Sequence, residues 1–539
     1  MLALYARVVG YPFLAFDDAE FILRNPQVTD PTSSLLDLLL TPKVGYPVPV
    51  TIGFEAALYQ LAGGAAWAFH AAALALHAVY ACQLLVLARK LGAALPVAFA
   101  ASLLFAVHPL VVQPIAWAIC LKDLLMANLV LGATLAFLSR ASEPPWRASA
   151  LAALTLAVLA MLAKPSAVLI GFAWLAYLLA RRHQPASTPE ECAPGIAPAA
   201  WAIAGCTAVL GALIGAASRF AHDTLLAEGG VGGWTAWSWL PVLGRQLSHV
   251  VWPVDLLVLY PDPGSEPAPW FAAAGAAALV LVTIALVRLR AEPGRVLVLT
   301  LAIAIYLPTS NLLPFARAIS DSYMYLPLSC IALACALQGE RWLSRRTGRA
   351  RGAAALAAAA LALALGASSS AQLPRWRGGL ALWQPVVRRY PTLSTAHRLL
   401  GDELMFRGRP ERAVDSYRRA FELEYDPRFL VEFGTVLGLA GKLGDAECVL
   451  IEAVAYGSNS GYAIYNYAAL LAYHPDYEPR HPAIARRLLT QLATLRHTAG
   501  LAWPEPLEPG LQRQLARVRD VPAVPTAWPQ RNCAVLKSR

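Results

Sequence analysis

Ala66-Trp67-Ala68-Phe69-His70-Ala71-Ala72-Ala73-Leu74-Ala75-Leu76-His77-Ala78-Val79-Tyr80-Ala81-Cys82-Gln83-Leu84-Leu85-Val86-Leu87-Ala88 contains no Asp, Glu, Lys or Arg and is closed by Arg89-Lys90. A helix needs about 20 such residues to cross the hydrocarbon of a bilayer, so this run predicts a membrane span. Nine further stretches read the same way: 94–107 (continuing toward 117), 122–139, 148–163, 165–180, 197–217, 269–287, 296–309, 323–338 and 352–371. Segment 1–16 is a short extra candidate, and 240–260 reads as a re-entrant or interfacial piece. Composition agrees: of 539 residues, 58% are hydrophobic and 14% charged, and the mean hydropathy is +0.50. Soluble proteins carry about 25% charge, and this chain has too little to clothe several globular surfaces. With 36 Gly, 40 Pro, 8 Cys and no fitting repeat, collagen-like, disordered and disulfide-scaffold classes are excluded.

The net charge of +10 lies largely in short clusters between apolar runs. That is a sidedness signal and not a phosphate groove, so nucleic acid is excluded as a partner. Arg89-Lys90, Arg140 with Arg147, Arg181-Arg182, Arg288/Arg290/Arg295 and Arg341 to Arg351 fall on alternate connections. Placed in the cytoplasm, they leave 17–65, 108–121, the Lys164-Pro165 junction, 218–268 and 308–322 facing outward. The last span, 352–371, then delivers 372–539 to the outside. The Ala/Arg/Pro bias points to a bacterial inner membrane with that part in the periplasm; in a eukaryote the same side is the ER lumen. Met1 to Phe16 lacks a cleavable-signal pattern, because Asp17-Asp18 stands where small residues are needed. Cys82, Cys120, Cys206, Cys330 and Cys335 read as small buried residues. Cys448 and Cys533 can pair, though no spacing demands it, and no cysteine pattern suggests zinc.

The C-terminal part is a repeat. Ala396 to Gly401, Gly408-Arg409, Ala413, Tyr417 and Ala420 form the small/large pattern of a tetratricopeptide helix pair, and the landmarks return 33 residues later at Gly434, Gly441, Ala446 and Ala453. A looser third copy covers 462–492, with an insertion around 474–482. The small residues fall where paired helices must approach closely. The expected architecture is therefore all-α: a transmembrane bundle of about 10–11 spans over 1–371, repeats over 372–492, and a cap with an irregular tail over 493–539.

Ionisable residues at membrane depth are costly and mark function. Asp17-Asp18 follows an apolar segment; two adjacent carboxylates repel, which raises a pKa and suits a general base. A solvated helix cap explains the same residues. His108-Pro109-Leu110 through Trp117 to Lys122-Asp123 offers cations for phosphate oxygens, or a Lys–Asp pair that orients a helix start. Lys164-Pro165 is a phosphate ligand or a snorkelling lysine. Trp252-Pro253 through Tyr260-Pro261-Asp262-Pro263, and Ser310-Asn311 followed by Asp321-Ser322-Tyr323-Met324-Tyr325, carry aromatics and amides suited to an outer interface. Paired carboxylates can also hold a divalent cation, although nothing in the sequence requires one.

Phe-Asp-Asp…Asn-Pro (16–26), His-Pro-Leu…Ala-Trp…Lys-Asp (108–123), Ala-Lys-Pro (163–165), Trp-Pro-Val-Asp…Tyr-Pro-Asp-Pro (252–263) and Ser-Asn-Leu…Tyr-Met-Tyr-Leu-Pro (310–327), followed by repeats, resemble the transmembrane and tetratricopeptide repeat-containing proteins and their bacterial relatives. These in turn are similar to protein O-mannosyltransferases of the GT-C fold, and the resemblance runs from about residue 5 to about 490. It implies an inverting glycosyltransferase that moves a sugar from a polyprenyl- or dolichyl-phosphate donor to Ser/Thr hydroxyls of exported proteins. By the same resemblance Asp17 or Asp18 is the base, His108, Lys122 and Lys164 face the lipid phosphate, and the repeats hold the acceptor. Asp123, Gln113, Asn311, Asp321, Tyr323 and Tyr325 are the supporting residues. Two positions depart from the family pattern: Gln113 stands where it usually has Glu, and Ser322 where Arg usually follows Asp. Arg317 substitutes for that Arg only if its loop folds back. The first helix is also short for the family. A non-catalytic scaffold that presents repeats to a partner complex is the competing expectation, and a transporter the third.

Overall fold

The computed structural model describes residues 1–30, 32, 34, 46–139, 146–183, 198–229, 237–262, 269–312, 317–455, 466, 467 and 470. Among them the regular secondary structure is helical and there is no strand. The chain divides into two compact units, Met1–Leu382 and Trp383–Arg539.

The first unit is built on α1 (Pro49–Ala62), α2 (Ala66–Lys90), α3 (Leu95–Ala106), α4 (Leu121–Ser139), α5 (Trp146–Ala163), α6 (Ile170–Arg182), α7 (Pro198–Gly229), α8 (Trp239–Val251), α9 (Pro269–Arg288), α10 (Pro293–Tyr306), α11 (Tyr325–Ser344) and α12 (Gly348–Gln372). All ten apolar stretches form helix. Among the described residues six of the helices are long and apolar enough to cross a membrane, and α3 with the Pro109–Ala116 piece, bent by 56°, is a broken span or a re-entrant loop. The count falls below ten because several expected spans are interrupted. Breaks fall at His108-Pro109 and Lys164-Pro165, each opening a short 3-10 turn, and the helix from Pro293 runs through a final 3-10 turn to Thr309, too short for a full span. Proline lacks the N–H that would continue the helix. The two breaks thus deliver His108 and Lys164 on extended backbone.

Helices α9 and α12 bury only 6% and 11% of their apolar windows. Apolar surface on that scale needs lipid as its solvent, and the six spans are compatible with a multi-pass membrane protein. Segment 1–16 forms two short turns, Leu2–Tyr5 and Ala6–Gly10, and is no span. The expected outer loop 17–65 contains α1, and within 240–260 lies α8, which turns Arg245, Gln246 and His249 inward while Val251 and Trp252 are exposed. Helix α8 crosses α9 so closely that a Cβ on Gly244 would sit 1.8 Å from the Phe271 carbonyl oxygen. Of the five cysteines expected to be buried, Cys120 and Cys330 are; Cys82, Cys206 and Cys335 lie on exposed helix faces.

The second unit contains α13 (Ser394–Phe406), α14 (Pro410–Leu423), α15 (Leu430–Leu439) and α16 (Leu443–Ala455). They form two equivalent helix pairs. Gly401 of α13 sits against the Tyr417 ring, where a Cβ would come within 2.6 Å, and Gly434 of α15 sits in the same way against Leu450. Ala413 and Ala446 are both fully buried, and Gly408 and Gly441 turn the chain at φ +65° and +74°. Cys448 is disulfide-bonded, and the five free cysteines are accounted for, so its partner falls outside the described residues. The expected third repeat copy, apart from Asn466, Tyr467 and Leu470, and the tail 493–539 also lie outside them.

Candidate functional site

The two neighbouring aspartates are held differently. Asp18 is fully buried, and its two oxygens accept hydrogen bonds from the backbone N–H groups of Leu14 (2.9 Å) and Ile119 (3.0 Å). It ties the entry loop to the turn that starts α4. Burial pushes its pKa up to about 7, against the two amides and Lys122, which favour the charged form. Asp17 points the other way, with its side chain 25% exposed and its Oδ2 3.5 Å from Nη2 of Arg317. Burial raises the Asp17 pKa above the ordinary carboxylate range, while Arg317 and Lys122 pull it down. Downstream, Asn25 caps the turn Pro26–Thr29 by accepting the Gln27 N–H, so Asn25-Pro26 serves local structure.

Arg317 does fold back. Its guanidinium packs over the rings of Trp117 (5.1 Å) and Phe16 (5.6 Å), which stack on one another. The Tyr323 hydroxyl donates to the Arg317 carbonyl (3.3 Å), and the Tyr323 ring lies 5.0 Å from Lys164 Nζ. Lys164 is buried and ion-paired with Asp123. Together with Ser166, Thr309, Ser322 and Tyr323, that pair lines a narrow cavity. A buried ion pair of this kind is costly to break, because each partner left alone is an uncompensated charge.

Glu55 on α1 belongs to the same neighbourhood. One turn before it, the Thr51 hydroxyl donates to the Ala163 carbonyl (2.8 Å), which fixes α1 beside the Lys164 junction. Glu55 is 2% exposed, its Oε1 has no hydrogen-bond partner, and burial pushes its pKa up to about 8, opposed by Lys122 and reinforced by Asp18. Sequence reasoning missed it by assigning 17–65 to an outer loop. The signal was present: a lone carboxylate in an otherwise apolar helix.

A second network adjoins the first through Ser320 to Tyr323. Asp321 accepts hydrogen bonds from the Tyr260 hydroxyl (3.0 and 3.1 Å) and from His249 Nδ1 (3.1 Å). Arg245, one turn from His249, lies 5.2 Å above the Tyr260 ring. Gln113 donates to Ser320 Oγ (3.2 Å), which contacts Ser322 Oγ (3.1 Å), and Gln246 donates to the Ser320 carbonyl (3.2 Å). His108 uses both ring nitrogens: Nδ1 accepts the Leu110 N–H, and Nε2 donates to the Val250 carbonyl (3.1 Å). It fastens the end of α8 to the loop and has no free N–H left for a phosphate. His249 and Arg245, like Glu55, were not singled out from the sequence; they are ionisable side chains on the inward face of a short amphipathic helix.

The structure therefore gathers Asp17, Asp18, Lys122, Asp123, Lys164 and Tyr323 with Arg317 and Glu55. It sets His108, Gln113 and Asp321 in the adjoining network. Tyr325 lines the cavity of the Lys164–Asp123 pair as well, while its hydroxyl bonds His77 Nδ1 (2.8 Å) and its ring packs against Tyr80 and Phe105. Asn311 is buried at a turn with φ +62°. Among the described residues no group of three or more His, Cys, Asp or Glu side chains is arranged to hold a metal ion. A carboxylate reachable from solvent, with the Arg317 guanidinium against it and Lys122 near it, can accept a hydroxyl proton and hold an anion. Comparison with protein families, with curated proteins and with solved structures finds no match to this chain.

Proposed function

We propose that the chain is a GT-C-like membrane glycosyltransferase that moves a sugar from a polyprenyl-phosphate donor to Ser/Thr hydroxyls of exported proteins. The observation that carries this reading is the partly exposed Asp17 carboxylate set against Arg317, with Lys122 near it. Asp17 is the base, since both oxygens of Asp18 are already taken by backbone amides. The hydroxyl oxygen forms a bond to the anomeric carbon as the bond from that carbon to the phosphate oxygen breaks. The proton goes to Asp17, and the departing lipid phosphate keeps the electron pair beside the cations. Arg317 supplies the positive charge that Ser322 lacks. The paired helices of the second unit are read as tetratricopeptide repeats that hold the acceptor. The disulfide at Cys448 supports an oxidising compartment, the periplasm, for them.

A second reading, a non-catalytic scaffold, is favoured by the engagement of Lys164 with Asp123 and of Gln113 with Ser320. Mass spectrometry of exported proteins separates the two. Cells lacking the gene should lose a hexose-type mass that the wild-type gene restores and Asp17→Asn does not. Full restoration by Asp17→Asn removes the enzyme reading.

A further inference from the structure

We propose that the Asp17–Arg317 pair is a latch that the donor phosphate opens, so that Asp17 is released to act as base only once the donor is seated. The inference rests on the glycosyltransferase reading above. In the structure Arg317 Nη2 is 3.5 Å from Asp17 Oδ2, and the two side chains are 24% and 25% exposed. Both are therefore reachable from the open side. The guanidinium is positioned by rings: Phe16, the chain neighbour of Asp17, and Trp117 lie at 5.6 and 5.1 Å. The carbonyl of Arg317 is held by Tyr323, the residue whose ring also lies over Lys164. The arginine is thus fixed in place while its charged fork stays open to a new partner.

A guanidinium binds phosphate through two parallel N–H donors and prefers it to a single, off-axis carboxylate contact. A lipid phosphate arriving beside Lys122 and Lys164 competes with Asp17 for that fork. When it wins, Asp17 loses its counter-ion and becomes a stronger base for the acceptor hydroxyl. Asp18 cannot take over, because the Leu14 and Ile119 amides occupy it. Without donor, Asp17 stays paired, and the empty site does not activate a hydroxyl. No step needs an oxidant or a co-reactant: the phosphate displaces a carboxylate, and the later transfer places the proton on Asp17 and the electron pair on the leaving phosphate.

The latch makes opposite predictions for its two halves. With full-length protein in detergent micelles and radiolabelled undecaprenyl phosphate as probe, Asp17→Asn removes the competitor and should tighten binding about fivefold, the scale of one partly exposed ion pair. Arg317→Gln removes the N–H fork that would hold the phosphate and should weaken binding at least about tenfold. The double variant should gain less from the loss of Asp17 than the single Asp17→Asn variant does, because only Lys122 then remains for the carboxylate to compete for. Inorganic phosphate as a second probe tells headgroup recognition from lipid recognition: the same ordering of variants is expected with weaker binding. Circular dichroism and gel-filtration profiles of each variant confirm folding. Saturable binding that Asp17→Asn leaves unchanged or weakens overturns the latch while the glycosyltransferase reading stands. No saturable binding to the wild type overturns both.

Discussion

Glu55→Gln isolates the cost of one buried carboxyl. Glu55 is 2% exposed with an unpartnered Oε1, and its pKa rises from 4.5 to about 8 on folding. Between those two values the folded chain holds a proton that the unfolded chain releases. The stabilisation is complete below pH 4.5, declines as pH rises, and is gone above about 8. Each pH unit in that window removes about 1.4 kcal/mol. From 4.5 to neutrality the decline is about 3 kcal/mol. An amide of the same shape cannot ionise, so Glu55→Gln should remove this slope and leave the contribution of Asp18, whose pKa is about 7. Thermal melts of wild type and variant in the same detergent at pH 5.5 and 8 measure it. The drop in melting temperature between the two pH values should be clearly smaller in the variant, which should be the more stable protein at pH 8. An unchanged drop, or a variant less stable than wild type at pH 8, refutes the reasoning and means that Glu55 is charged and paired in the folded state.

Three further outcomes follow from the contacts. Asp123→Asn strands the buried Lys164 and should cost about 3–5 kcal/mol, read as a large fall in melting temperature; Asp123→Asn with Lys164→Met should recover much of it, and no recovery means the pair is not the cause. Gly401→Ala drives a methyl into Tyr417 and should destabilise the second unit by about 1–3 kcal/mol, whereas Gly444→Ala, with open space around it, should not; equal effects contradict the packing argument. In protein isolated without reductant, Cys448 should resist maleimide labelling until dithiothreitol is added, while immediate labelling would mean a reducing compartment.

Much of the first unit was legible because lipid imposes a simple code: long uncharged runs form helix, and each of the ten stretches does so. The number of spans was not, because prolines at 109 and 165 shorten or bend what hydropathy alone reads as full spans. Of the candidate site, the elements on sharp local motifs were legible: Asp17-Asp18, Lys122-Asp123 and Lys164-Pro165 are brought together. The roles within it depend on three-dimensional partners. Nothing in the adjacency of Asp17 and Asp18 says that one is bound by two amides and the other by an arginine 300 positions away. His108 reads as a cation until both its nitrogens are found bonded. Glu55, Arg245 and His249 lie on helices of 14 and 13 residues, too short to read as spans and too regular to read as loops. The 33-residue spacing in the second unit was legible in full for two helix pairs, because close helix contact leaves a mark in glycine and alanine.

The central claim is sugar transfer driven by Asp17. Purified full-length protein reconstituted in liposomes, given polyprenyl-phosphate-linked mannose and a Ser/Thr-rich acceptor peptide, tests it directly. The account predicts a hexose added to the peptide by the wild type and at least about a hundredfold less by Asp17→Asn, the scale of losing a general base. Equal transfer by the two proteins would contradict it, as would no transfer by a wild-type protein that binds both substrates.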